Sequence, residues 1–278
     1  MMRRNVKLPG GVSVPISGVV SLISDFGSAD HYVGVMKGQI LSQATHSVLV
    51  DISHEVPAFD ARAAAYLLEQ SFPYMPQGTI HMVVVDPGVG TTREVYLFAM
   101  NHGLVLAPHN GILDGLIENR DISAAWRVKP AKASASSTFH GRDVFAPLVG
   151  RILAGDDVSD GLEPAGVPDR HDTKTRALVT RKGDHVTGSI LWVDRFGNLV
   201  TNMKMRDLFM EASRIVGQVG NGTVESFASC YEKGSRQAPF FLTGSSQYLE
   251  ISLDQGSAAE FLGARQGDPV VLWERGTE

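Results

Sequence analysis

Three stretches in the first hundred residues, "GVVSLIS", "SVLVDIS" and "TIHMVVVD", are apolar without the alternation of a half-exposed strand. Between them lie two helix-like stretches. "YVGVMKGQILSQAT" places Tyr32, Met36 and Ile40 at helical spacing, and "FDARAAAYLLEQSF" is rich in alanine and leucine. A strand that is apolar on both faces has no side to offer water, so it belongs inside a sheet covered on two sides, and a helix between successive strands returns the chain for a parallel pairing. This pattern predicts the α/β class, with an N-terminal, mostly parallel α/β sandwich domain. "REVYLFAM" and "GLVLAP", joined by the "NHG" turn, add two further strands; "NGILDGLIE" reads as a short helix and "DVFAPLVGRILAG" as a longer one.

The pattern then changes. "DDVSDGLEPAGVPDRHDTKT" is polar and rich in Pro, Gly and Asp, and a domain boundary is expected within it, giving domains 1–170 and 171–278. Beyond it "HVTGSILWVD", "NLVTN", "RIVGQV", "GTVESF", "QYLEISL" and "PVVLW" are short strands separated by turn residues, with "MRDLFMEAS" the clearest helix. A smaller C-terminal antiparallel β-barrel domain is expected. The 278 residues suffice for two cores.

Charge narrows the partners. The net charge is −5 and no Lys/Arg run follows the short "MMRRN" start, so nucleic acid and an anionic membrane surface are not expected partners. The single cysteine, Cys230, has no intrachain mate, and a small inert thiol in a cytoplasmic protein is the expectation. "VKLPGGVSVPISG" is too broken by Pro and Gly to serve as the apolar core of a signal peptide, and no apolar run reaches bilayer length.

Ligands of open α/β sheets sit beyond the carboxyl ends of the strands. "SDFGSADHYVG", "DPGVGTTRE" and "STFHGRDVFAP" are the candidates. Asp25, at a strand end, can accept hydrogen bonds from a ribose diol or cap the next helix, as can Asp30; spacing favours capping for both. In "DPGVGTTR", Pro87 sets φ while Gly88 and Gly90 permit left-handed geometry. A phosphate loop would need a lysine and a following helix, yet "EVYLF" reads as a strand, so a tight turn is expected. In "TFHGRDVF", His140 is either a general base or a histidine satisfied by backbone, and Asp143 a helix cap. With no HxxxH, HxH or Cys pair nearby, no metal site is expected, and the single His54 of "DISHEVP" reads as structural. In "ILWVDRFGNLVTN", Asp194, Phe196 and Asn198 form either a plain hairpin with a type I turn or a surface for a flat heterocycle and an ammonium group.

Taken in order, "SDFGSADHYVGVMKGQI", "DISHEVPAFD", "VVVDPGVGTTRE", "APHNGIL", "TFHGRDVFAP", "WVDRFGNLVTN" and "YLEISLDQGSAAEFLG" resemble the S-adenosylmethionine hydrolases that form adenosine and methionine, in one superfamily with the fluorinase and chlorinase. The resemblance implies a homotrimer with active sites between subunits, no cofactor beyond S-adenosylmethionine as substrate, and a catalytic triad of Asp86, Arg93 and His140. It further implies Asp25 on the ribose hydroxyls, Phe59 beside ribose and adenine, Asp194 on the methionine ammonium, Phe196 and Asn198 around the adenine, and Ser246 and Tyr248 at the methionine end. The halogenases keep the scaffold but not this triad, so its three residues favour water over halide. A halide-using relative and a non-catalytic adenosyl-ligand sensor are the alternatives.

Overall fold

In the computed structural model, which describes residues 4–119, 121–129, 135–171 and 179–276, every residue of five strands is buried. The chain divides into two compact units, Met1–Thr175 and Arg176–Glu278. The first opens on a hairpin of β1 (Arg4–Leu8) and β2 (Val12–Ile16), turned by Pro9, Gly10 and Gly11. Both glycines are left-handed, with φ of 81° and 77°. The Pro and Gly that break the N-terminal apolar pattern are therefore the residues that fold it back. Val6, Leu8, Val14 and Ile16 are buried in the first unit's core, each contributing about 1.5–3 kcal/mol by leaving water. The Trp126 indole N–H donates to the Pro9 carbonyl at 2.9 Å.

The main sheet of this unit comprises β3 (Val19–Ser24), β4 (Val48–Ser53), β5 (Thr79–Val84), β6 (Val95–Met100), β7 (Gly103–Pro108), β8 (Ile122–Val128) and β9 (Leu162–Ala165), in the order β4-β3-β5-β7-β6-β8-β9. The β4-β3, β3-β5 and β5-β7 pairs are parallel; β7-β6, β6-β8 and β8-β9 are antiparallel. The sheet is thus mixed. β3, β5, β6 and β7 are the fully buried strands, whereas β4 lies at an edge and is partly exposed. β9 arises inside the polar stretch taken from sequence as a boundary, because pairing with β8 satisfies its backbone although only Leu162 is buried. The end of that stretch, 172–175, lies outside the described residues.

Helices α1 (Tyr32–Leu41), α2 (Ala61–Ser71), α3 (Asp114–Asn119) and α4 (Ala146–Ala154) complete the unit. α1 buries Met36 and Ile40, while Tyr32 stays part-exposed, its ring 5.1 Å from Phe139 and 5.4 Å from Phe26. α2 buries Ala61, Ala63, Ala64 and Leu68; its cap Asp60 accepts the Arg62 and Ala63 amides at 2.9 and 3.0 Å. α4 carries Pro147 in its first turn and ends on Gly155 at φ 80°.

The second unit is antiparallel throughout its named strands. Its sheet joins β10 (Thr180–Lys182), β11 (His185–Val193), β12 (Leu199–Lys204), β13 (Ile215–Val219), β14 (Gly222–Val224), β15 (Phe240–Thr243), β16 (Tyr248–Ser252) and β17 (Pro269–Glu274) in the order β14-β13-β17-β11-β12-β16-β15, with β10 beside β11. The long β11 turns the sheet into a nearly closed barrel: its first half pairs with β17, its second with β12, and the register shifts between Ile190 and Trp192. Val186, Ile190, Leu249, Ile251 and Leu272 fill the interior.

The helix expected over "MRDLFMEAS" is shorter than its pattern. α5 (Met205–Leu208) is a single turn, because Phe209 takes a left-handed φ of 51° and ends it with Leu208 buried. A last short helix, α6 (Ala258–Leu262), is capped by Ser257, whose hydroxyl accepts the Glu260 amide at 3.1 Å. Among the described residues no helix is long and apolar enough to cross a membrane.

Candidate active site

β5 ends at Val84, and the chain turns immediately. The Val89 amide donates to the Asp86 carbonyl at 3.1 Å and the Thr91 amide to the Gly88 carbonyl at 3.1 Å, so two successive turns bring Arg93 back over Asp86. Arg93 Nε then donates to both carboxylate oxygens of Asp86, at 2.8 and 2.9 Å, and Nη2 makes a second bond to Oδ2. Of the two glycines expected to be left-handed, only Gly90 is, at φ 78°. A Cβ on Gly90 would overlap the Ser137 carbonyl oxygen, while Gly88 keeps an ordinary φ and lies against the Arg93 side chain. β6 follows the loop as a strand, so no helix opens from it as a phosphate loop would require.

The loop's other contact comes from 47 residues further along the sequence: Arg93 Nη2 lies 2.8 Å from His140 Nδ1. His140 precedes a five-residue π turn, Gly141–Phe145, that leads into α4, and a Cβ on Gly141 would press on Met36 Sδ at 2.7 Å. Arginine has only donors, so His140 Nδ1 is the acceptor and the neutral ring carries its proton on Nε2. Burial and then the Arg93 charge push the His140 pKa below its ordinary value, against the smaller upward pull of Asp86 and Asp143. Asp143 does not cap the helix. Its carboxylate accepts the upstream Ser136 amide at 2.7 Å and pairs with Arg142, whose Nε lies at 2.6 Å.

Neither Asp25 nor Asp30 caps α1, which has no side-chain cap. Asp25 Oδ2 instead accepts the Phe59 amide at 2.9 Å, tying the loop after β3 to the segment after β4. Spacing favoured capping because nothing in it shows that a residue 34 positions away will offer an amide. Phe59 is 71% exposed and left-handed, at φ 67°. Its ring helps line a cavity of about 650 Å³ with Asp60, Asp86, Arg93 and Asn110. Arg93 also lines a neighbouring cavity of about 710 Å³ together with His140. Asn110, in the "APHNGIL" stretch, holds the Val85 carbonyl through its amide nitrogen at 2.9 Å and so anchors the residue before Asp86. An asparagine at the exit of a buried strand was the available signal for it.

In the second unit, Asp194 opens the β11–β12 hairpin, with the Gly197 amide on its carbonyl at 3.0 Å. Its Oδ1 accepts the Phe196 and Asn198 amides, each at 2.9 Å, and its Oδ2 accepts the Asn198 side-chain nitrogen at 2.8 Å. Phe196 is 76% exposed. Asp194, Phe196, Asn198 and Tyr231 line a cavity of about 600 Å³. Tyr231, which sequence reasoning missed, donates its hydroxyl to the buried Glu250 at 3.0 Å. Burial raises the Glu250 pKa; the Tyr231 bond works against this rise and the nearby Asp194 charge adds to it. Ser246 lies in the β15–β16 turn with its hydroxyl oxygen buried and unpartnered among the described residues. Tyr248 is buried beneath Lys204, whose Nζ is 4.8 Å from the ring centroid. Cys230 is exposed and free.

A two-unit chain pairing a mixed α/β sheet with a barrel-like antiparallel sheet, and an Asp–Arg–His cluster beyond β5, matches two family models in order: the SAM hydroxide adenosyltransferase N-terminal domain over residues 20–161 and its C-terminal domain over 188–271. The chain belongs to this family. It is 32% identical to the (R)-S-adenosyl-L-methionine hydrolase of Thermus thermophilus, over 91% of this chain and 98% of that one. A fluorinase from Actinoplanes is more distant, at 28% identity over 68% of this chain and 73% of the fluorinase. A solved structure of a conserved protein from Thermotoga maritima superposes with a TM-score of 0.77 at 27% identity, covering 92% of this chain and all of that one.

Proposed function

We propose that this protein hydrolyses S-adenosyl-L-methionine to adenosine and L-methionine, by in-line attack of an activated water on C5′ of the ribose. The observation that carries the reading is the hydrogen-bonded group of Asp86, Arg93 and His140, drawn from two segments, with Arg93 lining both of two neighbouring cavities, one beside Asp86 and the other beside His140. Methionine leaves a sulfonium as a neutral thioether, so the leaving group needs no acid. The difficulty lies in the nucleophile, and the site's task is to hold one water behind C5′ and take its proton.

The hydrogen bonds support one division of roles between His140 and Asp86. His140 Nδ1 already accepts from Arg93 and its Nε2 carries the ring proton, so the neutral imidazole orients the water as a donor. Asp86 faces Arg93 with a carboxylate that retains acceptor capacity, and it takes the proton. Arg93 binds both and stabilises the hydroxide-like charge. Asp25 binds the ribose diol, with Phe59 beside the sugar; Phe196 and Asn198 take the adenine, and Asp194 the methionine ammonium. Ser246 and Tyr248 serve the methionine end. The enzyme acts as a cytoplasmic homotrimer without a further cofactor, a reading that rests on the family and on the sequence composition.

The test is incubation with S-adenosylmethionine with and without chloride, followed by chromatography. Adenosine and methionine in equal amounts, independent of chloride, are expected. A 5′-chloro product would replace hydrolysis by halogenation, and tight binding without turnover would make the protein a sensor.

A further inference from the structure

Behind the Asp25 loop runs a chain of polar side chains with no place in the proposed chemistry. Ser24 Oγ lies 2.7 Å from His54 Nδ1, and His54 Nε2 lies 3.0 Å from Asp51 Oδ1. Lys37 Nζ donates to the other Asp51 oxygen at 2.6 Å. Serine, histidine and aspartate in this order are the arrangement of a nucleophile, its base and the group that orients the base. Burial decides against that use: Ser24, the last residue of β3, is 0% exposed, so no substrate atom reaches its hydroxyl. Burial works against the Asp51 charge, but the bonds from Lys37 and His54 outweigh it and hold that carboxyl below its ordinary value.

The chain therefore runs from a surface ion pair inward, and it ends on the residue before Asp25. The backbone repeats the tie on both sides. The Gly27 amide donates to the His54 carbonyl at 2.7 Å, and the Val56 amide to the Ser24 carbonyl at 3.3 Å. The same segment continues to Phe59, whose amide reaches Asp25 and whose left-handed φ is one that a residue with a side chain holds only where its surroundings impose it. A rigid ring bonded at both nitrogens is suited to fixing such a junction, because it spans two partners with no internal rotor between them.

We infer that His54 is a positioning residue, which locks the Ser24–Gly27 turn to the His54–Phe59 segment so that Asp25 meets the ribose hydroxyls in one orientation. This rests on the reading of Asp25 as the ribose ligand. His54→Ala leaves the buried Ser24 hydroxyl without its partner and frees the loop. His54→Asn keeps an amide near the Nδ1 position for Ser24 but falls short of Asp51.

The test measures KM and kcat for the wild type, His54→Ala, His54→Asn and Asp25→Ala, each with S-adenosylmethionine and with its 2′-deoxyribose analogue. For His54→Ala, KM for S-adenosylmethionine is expected to rise about 10-fold, the scale of one lost hydrogen bond to a charged group, with kcat nearly unchanged. The rise should shrink severalfold for the deoxy analogue, which already lacks one of the hydroxyls that Asp25 would hold. His54→Asn should show a smaller rise with the same substrate dependence, and serves alone where the alanine variant does not fold. If Asp25→Ala discriminates between the two substrates while the His54 variants impair both equally, the positioning role is overturned and the ribose reading stands. Equal impairment of both substrates by Asp25→Ala overturns the ribose reading and the inference with it.

Discussion

Two turns in this molecule are written in similar letters, "DPGVGTTR" after β5 and "DRFGN" between β11 and β12, and their aspartates have opposite fates. Asp194 turns inward on its own turn: three donors from Phe196 and Asn198 occupy its carboxylate within four residues. Asp86 makes no such local bonds. Its turn is closed by backbone and by the Thr91 hydroxyl on the Gly88 carbonyl at 2.6 Å, so its carboxylate remains for Arg93 and the proposed chemistry. The difference lies in the residues after the acid. A proline, which has no amide hydrogen, and a longer loop leave Asp86 without near donors, whereas a five-residue hairpin surrounds Asp194 with them.

The contrast is most exposed at Arg93. Arg93→Lys keeps the charge but cannot pair with Asp86 through two nitrogens while also reaching His140, so kcat is expected to fall roughly 10³-fold with substrate affinity little changed. Steady-state kinetics beside calorimetric binding would check this; comparable losses in both would show Asp86 and Arg93 to be a structural pair like the second turn.

Asp194 offers the converse experiment. Asp194→Asn retains an oxygen for the Phe196 and Asn198 amides, so thermal stability should hold while loss of charge raises KM by about 10- to 100-fold. Asp194→Ala should add a stability cost of about 1–2 kcal/mol, read by thermal denaturation. An unchanged KM in Asp194→Asn would confine this acid to its turn.

Gly90→Ala probes how closely the first turn is fitted. The left-handed φ and the Ser137 carbonyl together predict a loss of about 2 kcal/mol and a displaced Arg93, measured as a lower unfolding midpoint with reduced kcat.

The smallest effect concerns pH. Because burial and Arg93 lower the His140 pKa, the neutral ring should persist below pH 6.5, and kcat/KM should fall only at more acidic pH, as the ring gains a proton and loses its bond from Arg93. Asp143 pulls that pKa upward, so Asp143→Asn should move the acidic limb lower still, which a kcat/KM profile would reveal.

Much of this architecture was legible in the sequence. The apolar stretches of β3 and β5 place those strands inside a sheet, and the clustered short strands past residue 179 announce an antiparallel unit. The absence of a lysine in "DPGVGTTR", and the strand after it, already argued against phosphate. Less legible were β9, hidden in a polar stretch, and the Pro-Gly-Gly hairpin at the start, because both owe their form to pairing or burial against residues distant in sequence.

Local sequence carried what depends on near neighbours: strand and helix periods, the Asp60 cap, and the tight turn around Gly197. Tertiary structure alone decided that Asp25 serves Phe59 rather than α1, that Asp143 ties down Ser136, and that His54 belongs to a four-residue chain reaching Lys37. Short-range order follows from backbone sterics and side-chain period, which a single stretch displays. A hydrogen bond across 34 or 47 residues follows from where packing leaves a donor opposite an acceptor, and only the folded chain contains that.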